Sequence, residues 1–183
     1  MFEFGATAIA GCYEIQPRVI KDRRGQFVKT FHEPSFAVRG LATDFTEEYH
    51  SHSHKGVIRG MHYQAPPHDH VKLVYCVHGR VFDVVVDLRV GSPTYGQSAT
   101  FVLDANKSNY LYIPKGLAHG FCALSELVTL VYKVTSVYAP ESDAGIAWDS
   151  LGVEWPANRP VLSERDRDFV ALEHFQSPFV YGT

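Results

Sequence analysis

Apolar and polar residues alternate with period two through much of the chain, which is the pattern of β-strands whose side chains point alternately to two faces. In RVFDVVVDLR at 80–89, one face carries Phe82, Val84, Val86 and Leu88, and the other carries Val81, Asp83, Val85, Asp87 and Arg89. The same character continues in KLVYCV at 72–77, QSATFVL at 97–103, YLYI at 110–113 and LVTLVYKV at 127–134. His78-Gly79 predicts a tight hairpin turn between the strands on either side of it. Many short strands separated by turn residues predict an all-β sandwich or barrel.

Helix is predicted only in short peripheral pieces. The best candidate begins at Ser163 in SERDRDFVAL, where Ser163 and Asp166 have the spacing of a capping box. A second stretch, EPSFAVRGL at 33–41, predicts one short turn of helix. No repeat, low-complexity tract or linker divides the sequence, so we predict a single domain over residues 1–183.

The composition is that of a globular protein and argues against several classes of partner. Hydrophobic residues make up 45% of the chain, but no apolar run approaches the roughly 20 residues that span a membrane. A net charge of −3 disfavours binding to a nucleic-acid polymer. The start of the chain lacks the basic region of a signal peptide, and Cys12, Cys76 and Cys122 show no C-x-x-C spacing. We therefore expect a cytoplasmic protein with reduced cysteines.

Four histidines fall in YHSHSHKGVIRGMHYQ at 49–64, which raises the question of a metal site. On a strand, His50, His52 and His54 would share one face, and three imidazoles on one face could bind zinc, nickel or iron. Neighbours on one face lie about 6.6 Å apart, because each residue rises about 3.3 Å, so a three-ligand site normally needs a second strand. His119 in IPKGLAHGF at 113–121 could supply that ligand; otherwise the alternating histidines form a polar rim.

His62 lies in a different setting, in the body of a predicted strand after Gly56-Val57-Ile58. It is either a hydrogen-bonded core histidine or a general base. Arg59 would point to the opposite face of a regular strand, but Gly60 between them could mark a bulge that brings both side chains to one cavity.

Three further polar residues have simple structural interpretations when each is taken alone. Lys72 suits a surface position at the start of a strand, and Asp166 suits a helix cap. Tyr132 shares its face with apolar neighbours and suits a core aromatic residue.

Taken together, these stretches resemble the dTDP-4-dehydrorhamnose 3,5-epimerases, which are metal-independent, cupin-type jelly rolls. The matching motifs, in chain order, are DRRGQF at 22–27, HS at 50–51, KGVIRGMHYQ at 55–64, KLV at 72–74, DVVVDLR at 83–89, IPKGLAHGF at 113–121, YK at 132–133, YAPE at 138–141, GIAWD at 145–149, GVEWP at 152–156 and LSERD at 162–166. Motifs this numerous and in this order cover nearly the whole chain.

The resemblance implies a cupin-type jelly-roll barrel with short peripheral helices, and an enzyme of deoxysugar biosynthesis that needs no cofactor or metal. It would epimerise a nucleotide-diphosphate 4-keto-6-deoxyhexose at C3, at C5 or at both. His62 would be the base and Asp166 would hold its ring and stabilise imidazolium. Lys72 would stabilise the enolate, and Tyr132 would return a proton from the opposite face.

The resemblance also implies residues that hold the substrate. Arg24 and Arg59 match arginines that bind the diphosphate, for which planar guanidinium groups are suited. His50, His119, Tyr138 and Gln64 are further candidates for the pocket. Family dimers exchange an N-terminal segment, so we expect a homodimer in which Arg24 serves the partner's site.

Four positions depart from the family pattern on the side expected to bind the nucleotide. Lys29 replaces the glutamate of F-x-E-x-F, Glu47 and Tyr49 replace glutamine and asparagine, and His70 replaces glutamine or glutamate. We keep Lys29, Glu47 and Tyr49 as candidate substrate contacts, and we hypothesise a CDP or GDP sugar, or a dTDP sugar epimerised at one carbon only.

Two other functional classes compete with the epimerase. One is a metal-dependent cupin oxygenase or isomerase that uses His50, His52 and His119. The other is a binding module without chemistry, which would have no need for a matched base and acid such as His62 and Tyr132.

Overall fold

A computed structural model describes residues 2–182 as two packed antiparallel sheets and a separate hairpin. The strands are β1 (Phe2–Ala6), β2 (Tyr13–Pro17), β3 (Val19–Asp22), β4 (Gly25–Val28), β5 (Glu47–His54), β6 (Ile58–Gln64), β7 (Lys72–His78), β8 (Arg80–Asp87), β9 (Ser98–Asp104), β10 (Tyr110–Ile113), β11 (Leu117–Ala123), β12 (Leu127–Val134) and β13 (Asp143–Gly145). The six-stranded sheet has the order β1-β2-β10-β7-β12-β5, and the five-stranded sheet has the order β13-β6-β11-β8-β9. The all-β prediction is confirmed.

Hydrophobic side chains fill the space between the sheets and also cover both outer faces. The inner cluster includes Val74, Leu111 and Phe121. Outside the six-stranded sheet, Phe36 packs on Leu73 and its neighbours, and the C-terminal segment covers the outer face of the five-stranded sheet. This is why β8 carries valines on both of its faces, which are almost entirely buried.

The predicted hairpin turn at His78-Gly79 is wrong, although the strands on either side of it are real. β7 belongs to the six-stranded sheet and β8 to the five-stranded sheet, so the chain crosses between sheets at Gly79. Gly79 has a φ of +77°, and a Cβ atom there would lie 2.5 Å from the Leu127 carbonyl oxygen. A tight turn therefore exists, but both edges of β7 are already paired, with β10 and β12.

Helices are short and peripheral, as predicted. They are α1 (Glu33–Ala37) and α2 (Glu164–Arg167), with 3-10 turns at Trp148–Ser150 and Leu172–His174. Ser163 caps α2, because its side chain accepts a hydrogen bond of 3.1 Å from the Asp166 backbone N–H. α2 ends earlier than the sequence pattern suggested. Within residues 2–182, none of these helices has the length and apolar character to cross a membrane.

The bulge predicted at Gly60 is confirmed by the pairing of β6 with β11. His62 lies opposite His119 and Arg59 opposite Phe121, so β6 uses one residue more than β11 between these two pairs. Gly60 has a φ of +132°, and a Cβ atom there would meet the Gly120 Cα at 2.5 Å. Only glycine fits this close approach of two strands.

Candidate active site

A cavity of about 450 Å³ opens between the two sheets, and most of the predicted site residues line it. Those residues are Glu47, Tyr49, Arg59, His62, Gln64, Lys72, His119, Tyr132 and Tyr138. The volume is in the range of cavities that hold small organic ligands. On β5, side chains alternate between the two faces of the strand. Glu47, Tyr49 and Ser51 point inward, and these three residues line the cavity.

His62 and Asp166 are in direct contact. The His62 Nε2–H donates to Asp166 Oδ1 at 2.8 Å, and Asp166 Oδ2 accepts the Gly60 backbone N–H at 3.1 Å. Burial alone would raise the pKa of Asp166, but these hydrogen bonds and the neighbouring imidazole hold it below its usual value. A carboxylate can only accept, so the neutral ring carries its hydrogen on Nε2 and keeps the lone pair of Nδ1 as a base.

Lys72 begins β7 but is buried, in contrast to the surface position that its sequence context suggested. Its Nζ donates to the His62 carbonyl oxygen at 3.1 Å. Burial lowers the pKa of Lys72 to about 8, while the carboxylates of Asp143 and Asp83 act in the opposite direction. A cation with this pKa stays mostly charged at neutral pH and can still give up its proton in mildly alkaline solution.

Tyr132 lies on the other sheet from His62. It lies on β12 with Val128, Leu130 and Val134 on the same buried face, as predicted. Its hydroxyl lies 3.3 Å from the Ser51 Oγ, and burial raises its pKa. Tyr132 therefore remains a protonated donor across the working range of pH.

A second histidine–carboxylate pair, His119 with Asp83, lies deeper between the sheets. The His119 Nε2–H donates to the Asp83 carboxylate at 2.9 Å, and Asp83 is fully buried. Burial raises the pKa of Asp83, although His119 and Lys72 oppose the shift. Asp83 was not among the site residues predicted from the sequence, and the available signal was a carboxylate between two valines, Val81 and Val85, on one face of β8.

The entrance of the cavity is held by polar contacts to its loops. Glu47 Oε2 accepts the Tyr138 backbone N–H at 2.8 Å. Gln64 Oε1 accepts the Ala139 N–H at 2.8 Å, and its Nε2 donates to the His68 carbonyl oxygen at 2.8 Å. Gln64 thus ties two loops together, and Glu47 fixes the position of Tyr138.

Arg59 and Arg165 present positive charge beside the dyad. The Arg59 Nε donates to Ser53 Oγ at 3.0 Å, while Arg165 forms a 2.8 Å ion pair with Asp143. Both arginines line the cavity. Arg59 was predicted to contact the substrate through the family motif. Arg165 was not predicted as a site residue, although it lies within the matching motif LSERD at 162–166.

Three predicted contacts lie outside the cavity of this chain. Arg24, in the β3–β4 turn, is exposed and pairs with Asp22, while Lys29 lies beside a separate groove near Phe27. His50 is exposed on the outer face of β5, because strand alternation that turns Tyr49 inward turns His50 outward.

The same alternation contradicts the proposed metal cluster. His50 and His52 are exposed on the outer face of β5, whereas His119 is 3% exposed and lies between the sheets. In the part of the chain from 2 to 182, no three histidine, cysteine or acidic side chains are grouped as metal ligands would be. The alternative of a metal-dependent cupin enzyme is therefore not favoured.

Comparison with known proteins gives consistent matches to one family. The family model described as dTDP-4-dehydrorhamnose 3,5-epimerase matches residues 6–174. The dTDP-4-dehydrorhamnose 3,5-epimerase of Shigella flexneri is 41% identical over 175 residues, which cover 92% of this chain and 97% of the relative. The dTDP-4-dehydrorhamnose 3-epimerase of Streptomyces niveus is also 41% identical, over 90% of this chain and 81% of the relative.

The fold is shared with solved structures as well. The dTDP-6-deoxy-D-glucose-3,5-epimerase of Legionella pneumophila, solved in complex with dTDP-4-keto-L-rhamnose, has a TM-score of 0.92 and 36% identity, covering 96% of this chain and 95% of that chain. This likeness confirms the cupin-type jelly roll. The chain is thus an enzyme of the isomerase class and belongs to the dTDP-4-dehydrorhamnose 3,5-epimerase family.

Proposed function

We propose that this protein epimerises a dTDP-linked 4-keto-6-deoxyhexose in deoxysugar biosynthesis, with His62 as the base. The observation that carries the proposal is the 2.8 Å contact of His62 Nε2 with the buried Asp166, which leaves Nδ1 as a free base beside the cavity. Two relatives that are each 41% identical to this chain are named a 3,5-epimerase and a 3-epimerase. Which carbons this protein acts on therefore depends on details of its own site.

The reaction follows from the acidity that a C4 ketone gives to the hydrogens on C3 and C5. His62 Nδ1 takes one of these protons, and the electron pair of the C–H bond moves into an enolate. Asp166 stabilises the imidazolium that results. Lys72 neutralises the developing charge on the C4 oxygen. Tyr132 then gives its hydroxyl proton to the carbon from the opposite face, and exchange with water restores both side chains.

The nucleotide end of the substrate would lie towards the entrance of the cavity. Arg59 can bind the diphosphate with a planar fork of donors. Glu47, Tyr49 and Tyr138 line the same entrance and are the proposed contacts to the nucleoside. His119 lies on the inner side and would contact the sugar.

We further propose that the protein works as a homodimer of single-domain chains over 1–183. β3 and β4 pair only with each other among the described strands, and they expose Ile20 and Phe27. Arg24 lies at the tip of this hairpin. Its side chain is 85% exposed and does not line the cavity of its own chain. Seating the hairpin on a partner would bury this apolar surface and bring Arg24, Lys29 or both to the partner's cavity.

Three free, buried cysteines, at 12, 76 and 122, fit the proposed cytoplasmic setting, where thiols stay reduced. Their environment gives them no evident role in the reaction.

The decisive experiment follows deuterium uptake at C3 and C5 by NMR in heavy water, with dTDP- and CDP-linked 4-keto-6-deoxyglucose. We expect uptake with the dTDP sugar, its loss in His62→Ala, and unchanged dTDP binding by that variant. His54→Ala is the matched control, because His54 is exposed on the outer face of β5. A chelator should leave the rate unchanged. If His62→Ala still exchanged at the wild-type rate, the proposed mechanism would be wrong.

The dimer has its own test. Arg24→Ala and His62→Ala would each be inactive, but a mixture that exchanges subunits should recover about a quarter of the wild-type rate at most, because a mixed dimer holds one intact site. Activity that stays absent after subunit exchange would contradict sharing of Arg24 between protomers. Light scattering gives the oligomeric state directly.

A further inference from the structure

Tyr49 and Tyr132 form a stacked pair in the wall of the cavity. They are directly opposite each other in the pairing of β5 with β12. Their ring centroids are 4.9 Å apart and the planes differ by 19°. Side chains that face each other across antiparallel strands are close enough for such contact. Tyr49 therefore covers one face of the ring that carries the proposed proton donor.

Other contacts leave the Tyr132 ring little freedom. The His119 ring meets it edge to face, with centroids 6.1 Å apart and planes at 70°. The hydroxyl is 3.3 Å from Ser51 Oγ. Tyr132 is 8% exposed, so rotation about its Cα–Cβ bond would need its neighbours, Tyr49 among them, to move.

The stack matters because the proposed reaction has two candidate carbons. C3 and C5 lie on either side of C4, so a hydroxyl held in one place is nearer to one of them. A hydroxyl that can swing reaches both. The restraint on Tyr132 thus becomes a restraint on which carbon is protonated.

We propose that Tyr49 is a positioning residue, which by stacking on Tyr132 makes the protein exchange one of the two carbons faster than the other. The inference rests on the proposed function, since it assumes that Tyr132 returns the proton. It goes beyond that function by assigning the choice of carbon to a residue that need not touch the reacting atoms.

The hydroxyl of Tyr49 is not required for this role. Within residues 2–182 it makes no hydrogen bond to protein, and partial burial in the cavity wall together with the charges of Glu47 and Asp143 raises its pKa to about 12. The phenol is therefore neutral at working pH. The aromatic face is what contacts Tyr132, so phenylalanine at this position should keep the stacking contact.

The test measures the ratio of deuterium uptake rates at C3 and C5 with dTDP-4-keto-6-deoxyglucose. In Tyr49→Asn we expect the ratio of the faster to the slower carbon to fall about fivefold towards one, because a stacked pair of about 1 kcal/mol corresponds to about that factor in relative rates. Tyr49→Phe should keep the wild-type ratio. Tyr49 is 41% exposed on an edge strand, so both variants should fold.

Tyr138→Asn serves as the control for a loosened entrance. Tyr138 lines the cavity without a ring contact to Tyr132, so this variant should raise KM and leave the ratio unchanged. An unchanged ratio in Tyr49→Asn, equal rates at both carbons in the wild type, or a changed ratio in Tyr49→Phe would each overturn the inference. Absence of exchange in the wild type would instead overturn the proposed function, and this inference with it.

Discussion

Replacing Lys72 by methionine should change how the stability of the protein depends on pH. Lys72 is 7% exposed, and burial lowers its pKa from 10.5 to about 8. Between these two values the unfolded chain keeps a proton that the folded chain has lost. The free energy of unfolding therefore rises with pH across this window. Each pH unit contributes about 1.4 kcal/mol, so the full effect is about 3 kcal/mol.

Urea unfolding of wild type and Lys72→Met, from pH 7 to about 9.5, measures this difference. The wild type should gain about 2 kcal/mol relative to the variant over that range, since the variant has no ammonium group to titrate. Other buried groups with raised pKa values, such as Cys76, titrate in both proteins and cancel. Lys55→Met is the control, because the Lys55 side chain is 61% exposed. Parallel curves for wild type and Lys72→Met would refute the reasoning.

Three further outcomes follow from the same contacts. Asp166→Asn keeps an acceptor for the Gly60 N–H but loses the negative charge beside His62. The kcat for deuterium exchange should therefore fall about a thousandfold, while the circular dichroism spectrum stays unchanged. A decrease of less than tenfold would contradict a catalytic role of the His62–Asp166 pair. Gly60→Ala places a Cβ atom 2.5 Å from the Gly120 Cα, at a residue with positive φ. It should lower the free energy of unfolding, measured in urea, by at least about 3 kcal/mol. A variant as stable as the wild type would mean that β6 and β11 can move apart to admit the methyl group. The exchange rate of the wild type should decline above about pH 8 as Lys72 loses its charge, and a rate that stays flat to pH 10 would exclude a charged Lys72 from the reaction.

The sequence pattern predicted the strands well because each one depends on local alternation and on turn residues. The partners of the strands could not be predicted in the same way. β7 and β8 flank one glycine, yet they lie in different sheets, β7 between β10 and β12 and β8 between β9 and β11. Loop closure between distant segments leaves no mark in a short window of sequence. The alternation of apolar and polar residues is also less regular where both faces of a strand are covered, as in β8.

The site shows the same division between local and distant information. The bulge at Gly60 could be predicted because a glycine inside a strand pattern typically marks a bulge or a close approach of two backbones. The motif match identified His62, Lys72 and Tyr132 as candidates for one cavity, and they do line it. The stack of Tyr49 on Tyr132 depends on the register of β5 with β12, which the sequence does not specify.

The proposed catalytic dyad joins two parts of the fold that are held together only by tertiary contacts. His62 belongs to the barrel, but Asp166 lies in α2, a helix of four residues that is too short to be stable alone. The segment is held by two hydrogen bonds of Val161, which accepts the Ile58 N–H at 2.9 Å and donates to the Gly56 carbonyl oxygen at 3.0 Å. It is also held by Phe169, whose ring packs against His62. The carboxylate in turn accepts the Gly60 N–H, within the bulge itself. Activation of the base therefore depends on docking of the C-terminal segment onto the barrel.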